Sequence, residues 1–179
     1  MSTARHLHHT YEEYLAALET SEIKLEYLDG EIFAMAGGTP EHGMICARLI
    51  QLLGARLPST CRVLTSDVKV RVTATGLSTF PDVSVVCGAL ERAPDDPNAI
   101  ANPALLVEVL SPSTEDYDRG EKLRHYQQPP SVRAVLLVSN PQQRVTLVQR
   151  TSSGWQTTEH DGTLSIDGLA ELAVREVYA

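Results

Sequence analysis

The 179-residue chain is 42% hydrophobic and 21% charged, a composition that fits one globular domain over residues 1–179 and excludes a disordered or collagen-like chain. Fifteen Lys plus Arg against 23 Asp plus Glu give a formal net charge of -8, which excludes a surface built for unaided, non-specific polyanion binding. No apolar run approaches the roughly 18 residues that span a bilayer, so no membrane partner is expected.

Residues 1–9 are polar, contain His6, His8 and His9, and read as a flexible tail without a signal-peptide core. Thr10-Tyr11-Glu12-Glu13 is a capping box, which predicts a helix from Tyr11 to about Glu19. Two extended runs, Ile23 to Leu28 and Glu31 to Ala36, flank Asp29-Gly30 and predict a hairpin. Gly37 to Pro40 is a break. Met44, Ile45, Leu49, Leu52 and Leu53 then recur at helical spacing and predict a helix from Pro40 to Leu57.

Strands dominate the middle. Arg62 to Val72 alternates, with Asp67, Lys69 and Arg71 on one face, either lining a DNA-facing groove or simply exposed. Gly76 marks a turn, and Phe80 to Val86 is the next strand, entered through Pro81. The Pro- and Asp-rich stretch from Ala89 to Pro103 reads as an exposed acidic loop. Ala104 to Leu110 is a continuous apolar run holding one acid, the pattern of a central strand covered on both faces. A helix is predicted from Glu115 to Gln127, and a buried strand from Val132 to Val138. Arg144 to Arg150 and Trp155 to Glu159 read as closing antiparallel strands, with a short amphipathic helix after Ile166. The order suggests one mixed sheet flanked by helices, an α/β or α+β domain. Cys46, Cys61 and Cys87 form no C-x-x-C pair and read as reduced thiols of a cytoplasmic protein.

No P-loop, G-x-G-x-x-G, G-x-S-x-G or H-E-x-x-H motif is present. The outstanding residue is Glu108, in the middle of the most apolar strand. A lone buried carboxylate costs several kcal/mol or takes up a proton, so it needs a cation, a metal ion or donors. A salt bridge to Arg71 or Arg119 is one answer. Asp82 is a second acid at a strand, either a strand-end residue or a partner of Glu108 if the two strands pair. Two close carboxylates repel unless a divalent cation lies between them, and Mg²⁺ takes such oxygen ligands. Asp118, Lys122 and Tyr126 share one helical face. They form either a surface ion pair with a covering tyrosine, or a row that leans Lys122 over the two acids.

Pro81-Asp82, then Glu108 in an apolar strand, then a helical lysine resembles the PD-(D/E)XK nuclease superfamily. More narrowly, YLDGEIFAM, PEHGMICARLIQLL, FPDVSVVC, LLVEVLSPSTEDYDRGEKLRHY and VLLVSNP resemble the Uma-type family of restriction-endonuclease-like bacterial proteins. The likeness runs from about Thr10 to Arg150. It implies a restriction-endonuclease-like mixed β-sheet core with helices on both faces, and metal-dependent hydrolysis of DNA. It makes Asp82 and Glu108 the acids for Mg²⁺ or Mn²⁺, with the Val109 carbonyl as a further ligand. The superfamily's lysine stands two residues after the acid; Leu110 holds that place here, so Lys122 takes its role. An upstream helix often carries an acid in this superfamily, which points to Glu41 with His42, or to Glu26 or Glu31. Arg119, Lys122 and Arg124 form the basic group a phosphate backbone would meet. A homodimer is expected, with two symmetric sites for duplex DNA. The alternative is an inactive binding or assembly module of the same fold, and a third reading is a phosphoesterase acting on a small nucleotide.

Overall fold

The computed structural model describes residues 8–35, 37–166 and 168–179. Most of the expected tail, residues 1–7, lies outside the described residues. His9 at its end is tied down: its N–H donates to the Gly30 carbonyl (2.8 Å), and the Tyr27 hydroxyl donates to the His9 carbonyl (3.0 Å).

Helix α1 (Tyr11–Thr20) starts at Thr10 with both halves of the capping box formed. Strands β1 (Leu25–Leu28) and β2 (Glu31–Ala34) are the predicted hairpin. Its turn holds Asp29 at φ 43° and Gly30 at φ 98°, the positive angles that an Asp-Gly pair supplies at least cost. Helix α2 (Pro40–Arg56) is capped by Thr39, whose hydroxyl accepts from the His42 N–H (3.3 Å). Ile45, Leu49, Leu52 and Leu53 form its buried stripe. Burial of each such side chain contributes about 1.5–3 kcal/mol.

The predicted single strand from Arg62 to Val72 is two strands in different sheets, β3 (Cys61–Thr65) and β4 (Lys69–Val72). Val68 N–H donates to the Thr65 carbonyl (3.1 Å) and closes a turn between them. The apolar positions shift phase there, from odd-numbered Val63 to even-numbered Val68, Val70 and Val72, and such a shift cannot run through one flat strand. Lys69 and Arg71 do not line an open groove. Both are buried, Lys69 against Asp96 (2.6 Å) and Arg71 against Asp95 (3.0 Å), while Asp67 is exposed beside Lys24.

After β5 (Leu77–Thr79) and β6 (Val83–Cys87), the expected acidic loop contains β7 (Arg92–Ala93) and β8 (Asp96–Ile100). Strand β8 lies parallel to β4, and its Asp96 is buried rather than solvated because Lys69 and Tyr11 hold its carboxylate. Strand β9 (Leu105–Leu110) is buried at every position, parallel to β10 (Ala134–Ser139) and antiparallel to β6. Strands β11 (Val145–Thr151) and β12 (Gly154–His160) close that sheet as expected. The tail adds a hairpin, β13 (Thr163–Ile166) with β14 (Ala170–Ala173), before a single helical turn α5 (Val174–Val177).

The central mixed sheet has the order β12-β11-β10-β9-β6-β3. One face packs on α2, the β13–β14 hairpin and α5. The other face packs on Val70, Val72 and Leu77 of the second sheet, ordered β2-β1-β5-β4-β8-β7, and on Tyr126. The architecture is the expected α+β nuclease-like fold, with a second sheet covering the face where a full helical layer was anticipated.

Cys61 and Cys87 sit opposite each other on β3 and β6 and are joined as a disulfide, which leaves Cys46 free. This corrects the expectation of three reduced thiols. The pairing is invisible in the sequence because 26 positions separate the two residues and only strand register brings them together. The cytoplasmic expectation loses the support it drew from free thiols. Among the described residues, no helix is long and apolar enough to cross a membrane.

Candidate functional site

The site grows out of one irregularity in the β6–β9 ladder. The paired positions of β6 and β9 run from Val85 with Leu105 to Val83 with Val107 and end there, just before Asp82 and Pro81. Proline has no N–H, and the regular ladder stops there. The Asp82 carboxylate takes over and accepts the Val109 N–H (2.7 Å). In a strand, a residue's N–H and C=O project to the same side. The Val109 carbonyl therefore also faces Asp82, and Pro81 has no proton to give it.

Glu108 points to the face shared by Leu106 and Leu110 and is only 5% exposed. Its Oε1 lies 3.0 Å from Lys122 Nζ and accepts the Tyr126 hydroxyl. Lys122 comes from a helical segment made of α3 (Glu115–Tyr117), a π-helical turn (Asp118–Lys122) and α4 (Leu123–Tyr126). The predicted row of Asp118, Lys122 and Tyr126 thus faces inward. Lys122 Nζ is also 3.6 Å from Asp118 Oδ1 and 3.5 Å from Glu26 Oε1. Glu26, on β1 of the second sheet, accepts from the Thr79 hydroxyl and the Phe80 N–H. Three carboxylates, Glu26, Glu108 and Asp118, surround one ammonium. Neither Arg71 nor Arg119 neutralises Glu108. Arg119 bonds Glu115 (2.7 Å) and Thr146 (3.2 Å), Arg124 donates to the Gly120 carbonyl (3.3 Å), and Lys122 is buried, so these three do not form a surface basic patch.

The electrostatics follow. Burial pushes the Glu108 carboxyl up to about 8; Lys122 opposes this, and the negative charges of Asp82 and Asp118 add to it. Burial also raises Asp118. Burial alone would lower the Lys122 ammonium, but Glu108 and its other acidic neighbours outweigh that and hold it above its ordinary value. Folded Glu108 keeps a proton that the unfolded chain releases near 4.5, so its contribution to stability is fully present below that pH and is lost as pH rises through about 8. Each pH unit in that window costs at most about 1.4 kcal/mol. In metal-free protein, we expect the unfolding free energy of Glu108→Gln to gain on that of the unsubstituted chain as pH rises from about 5 to about 8. Urea titrations at several pH values measure this, and parallel curves would contradict the burial of an ionisable group at 108.

His42, in the first turns of α2, places Nε2 3.1 Å from Asp82 Oδ2 and Nδ1 3.6 Å from Cys46 Sγ. The hydrogen bond to Asp82, with that to Cys46, pushes the imidazole up to about 10. The raised imidazole favours the protonated form, which donates to Asp82. Glu41 points away. It is exposed at the start of α2, and backbone and Thr39 hydrogen bonds there hold its carboxyl below the ordinary range. Glu31 is exposed on β2. Of the upstream candidates, then, His42 and Glu26 reach the cluster, and Glu41 and Glu31 do not. Two members escaped the sequence reading, Thr79 and Cys46. Thr79 left no signal, whereas His42 and Cys46 at i and i+4 on one helix were readable as a pair.

The donor set suits a hard divalent cation. Asp82 and Glu108 offer carboxylate oxygens, Asp82 bonded to the N–H of the residue after Glu108, and the Val109 carbonyl projects to the same side of the strand as that N–H.

The fold is that of a nuclease-like protein. Over 93% of this chain and 96% of the other, it matches a crystal structure from Anabaena variabilis ATCC 29413 described as a putative nuclease belonging to DUF820, with a TM-score of 0.74 at 19% identity. The chain belongs to the Uma2 family, described as "Putative restriction endonuclease", whose profile matches residues 11–175. It is similar to two proteins of Synechocystis sp. (strain ATCC 27184 / PCC 6803 / Kazusa). The uncharacterized protein slr1290 is 42% identical over 144 residues, 80% of this chain and 75% of that protein. The uncharacterized protein sll1609 is 28% identical over 152 residues, 84% of this chain and 86% of that protein.

Proposed function

We propose that this chain is a Mg²⁺- or Mn²⁺-dependent endonuclease that hydrolyses phosphodiester bonds in DNA, acting as a homodimer. The observation that supports the reading is the end of the ladder at Val83, beyond which the Asp82 carboxylate accepts the Val109 N–H and is near enough to the buried Glu108 to raise its carboxyl. A divalent ion held there would polarise the scissile phosphate and lower the pKa of an attacking water. The chain's own groups then have distinct tasks. Lys122 holds Glu108 in place and sets a fixed positive charge beside the acids, where negative charge grows on the phosphate. Protonated His42 fixes the Asp82 carboxylate from the α2 side. Tyr126 fixes Glu108 from the opposite side of the cluster. An acidic protein meets the polyanion locally, through the cation, rather than through a basic coat. Two-fold association would present a site to each strand of the duplex.

One observation favours the second reading, a non-catalytic module of the same fold. Lys122 is 5% exposed and already engaged by three carboxylates, as in a structural ion cluster. Incubation with supercoiled plasmid and with single-stranded RNA separates the two. Nicking or linearisation of the plasmid in Mn²⁺ or Mg²⁺, abolished by chelator, is the expected result. Intact plasmid in every metal, together with no calorimetric Mn²⁺ binding, would establish the binding module instead. Selective cutting of RNA would overturn the choice of DNA.

A further inference from the structure

Cys46 stands beside the proposed reaction centre and has no part in the proposed chemistry. It is the free cysteine of the chain, half-buried on α2, one turn after His42. Its sulfur, a ring nitrogen of His42 and a carboxylate oxygen of Asp82 all lie within 4.8 Å of one another. Two of the separations are shorter, 3.1 Å between His42 Nε2 and Asp82 Oδ2 and 3.6 Å between His42 Nδ1 and Cys46 Sγ. Zinc bonds of about 2.0–2.3 Å in a tetrahedron set neighbouring ligand atoms roughly 3.3–3.8 Å apart. The two short contacts use opposite ring nitrogens of His42, so an ion takes one of them and the side chain facing the other nitrogen turns toward it, from a starting separation within 4.8 Å.

The chemistry of this triad differs from that of its neighbour. Asp82 with Glu108 offers oxygen alone, which suits Mg²⁺ and Mn²⁺. Sulfur and imidazole nitrogen select borderline and softer ions of the zinc class. Two ligands at i and i+4 on one helix and a third from an adjoining strand end are well placed to converge. The side chains of His42 and Asp82 keep 19% and 15% of their surface exposed, so solvent can reach the ion and fill a fourth position.

We propose that His42, Cys46 and Asp82 form a binding site for a zinc-class divalent cation, distinct in ligand chemistry from the oxygen site that shares Asp82. Binding releases two protons to solvent, one from the Cys46 thiol and one from the His42 imidazolium, and the thiolate, the freed ring nitrogen and the Asp82 carboxylate take the ion. Because Asp82 serves both sites, occupancy by Zn²⁺ withdraws it from Glu108 and stops the hydrolytic reaction. That last consequence rests on the proposed nuclease activity; the binding itself does not.

The test uses the full chain with its Cys61–Cys87 disulfide intact, so that Cys46 is the remaining thiol. Co²⁺ serves as a spectroscopic probe and Zn²⁺ as its competitor. We expect one Co²⁺ per chain with a thiolate-to-cobalt charge-transfer absorption, displaced by Zn²⁺ and absent from Cys46→Ala. Loss of an outer-shell partner already costs roughly 10–100-fold in metal affinity, so loss of the sulfur ligand should weaken Zn²⁺ binding at least tenfold. Cys46→Ser, which keeps the side-chain size, should lose the charge-transfer band while retaining the native circular dichroism spectrum. No thiolate band in the unsubstituted chain, or equal Zn²⁺ affinity with and without Cys46, overturns the site. In the cleavage assay, Zn²⁺ should inhibit the Mn²⁺-supported reaction of the unsubstituted chain and spare that of Cys46→Ala. Equal inhibition of both overturns the proposed competition. A chain that binds Zn²⁺ through Cys46 yet cuts no nucleic acid supports the site and overturns the nuclease reading.

Discussion

Asp82→Asn and Glu108→Gln should each abolish metal-supported plasmid cleavage while leaving a folded chain. A bound cation supplies several kcal/mol of charge stabilisation to the transition state. At 1.36 kcal/mol per tenfold, loss of one anionic ligand should slow cleavage on the order of 10³-fold or more. The two substitutions differ in their other effects. Asp82→Asn keeps an oxygen to accept the Val109 N–H, so the strand end should hold. It also removes the charged partner of His42, which should let the imidazole pKa fall from about 10. Glu108→Gln leaves the His42–Asp82 contact in place. Initial cleavage rates in Mn²⁺ measure the catalytic loss, and an NMR pH titration of the imidazole measures the second effect. Cleavage by the purified double variant at an undiminished rate would remove both acids from the mechanism.

Lys122→Met should produce the largest loss of stability of any single change at the site. Its ammonium is buried among Glu26, Glu108 and Asp118, and its removal leaves three acids facing one another without a cation. Breaking a buried ion pair by deleting one partner costs about 3–5 kcal/mol. Two conditions should relieve the defect. Mild acid protonates the carboxyls and removes their repulsion, in keeping with the raised Glu108 and Asp118. Mn²⁺ supplies the missing positive charge and stabilises whatever state binds it. Thermal unfolding of the variant across pH, with and without Mn²⁺, reads both effects. A deficit that neither acid nor metal reduces would show that Lys122 acts through packing alone.

These expectations rest on features of unequal legibility. Glu108 was legible because one acid in an otherwise apolar run conflicts with burial, and the conflict itself marks the residue. Asp118, Lys122 and Tyr126 were legible because helical spacing is local, and it puts them on one face even though a π-helical turn interrupts the segment. The capping box at Thr10 and the Asp-Gly hairpin involve contacts a few residues apart, and both form as read. Lys69, Arg71 and Asp96 were misread for the opposite reason. Their charge suggested solvent, but each finds its counter-charge across more than twenty residues, and nothing local reveals that pairing. The break between β3 and β4 left a trace in the phase of the valines. β7 and β8 left little, since Pro- and Asp-rich sequence favours turns and is poor in strand formers.

The sequence alone determined which residues would be in conflict with their surroundings, and so where chemistry would gather: an acid in an apolar strand, an acid after a proline, a lysine on the following helix. Periodicity carries that information because it states which face a side chain occupies. Only the tertiary structure decided the partners. The end of the β6–β9 ladder leaves the Asp82 carboxylate on the Val109 N–H, next to Glu108 in the chain. The approach of the second sheet brings Glu26 to Lys122, and the seat of α2 on the central sheet brings His42 and Cys46 to Asp82. A face is a local property of the chain, whereas a partner depends on how distant segments pack, and no spacing within a segment encodes it.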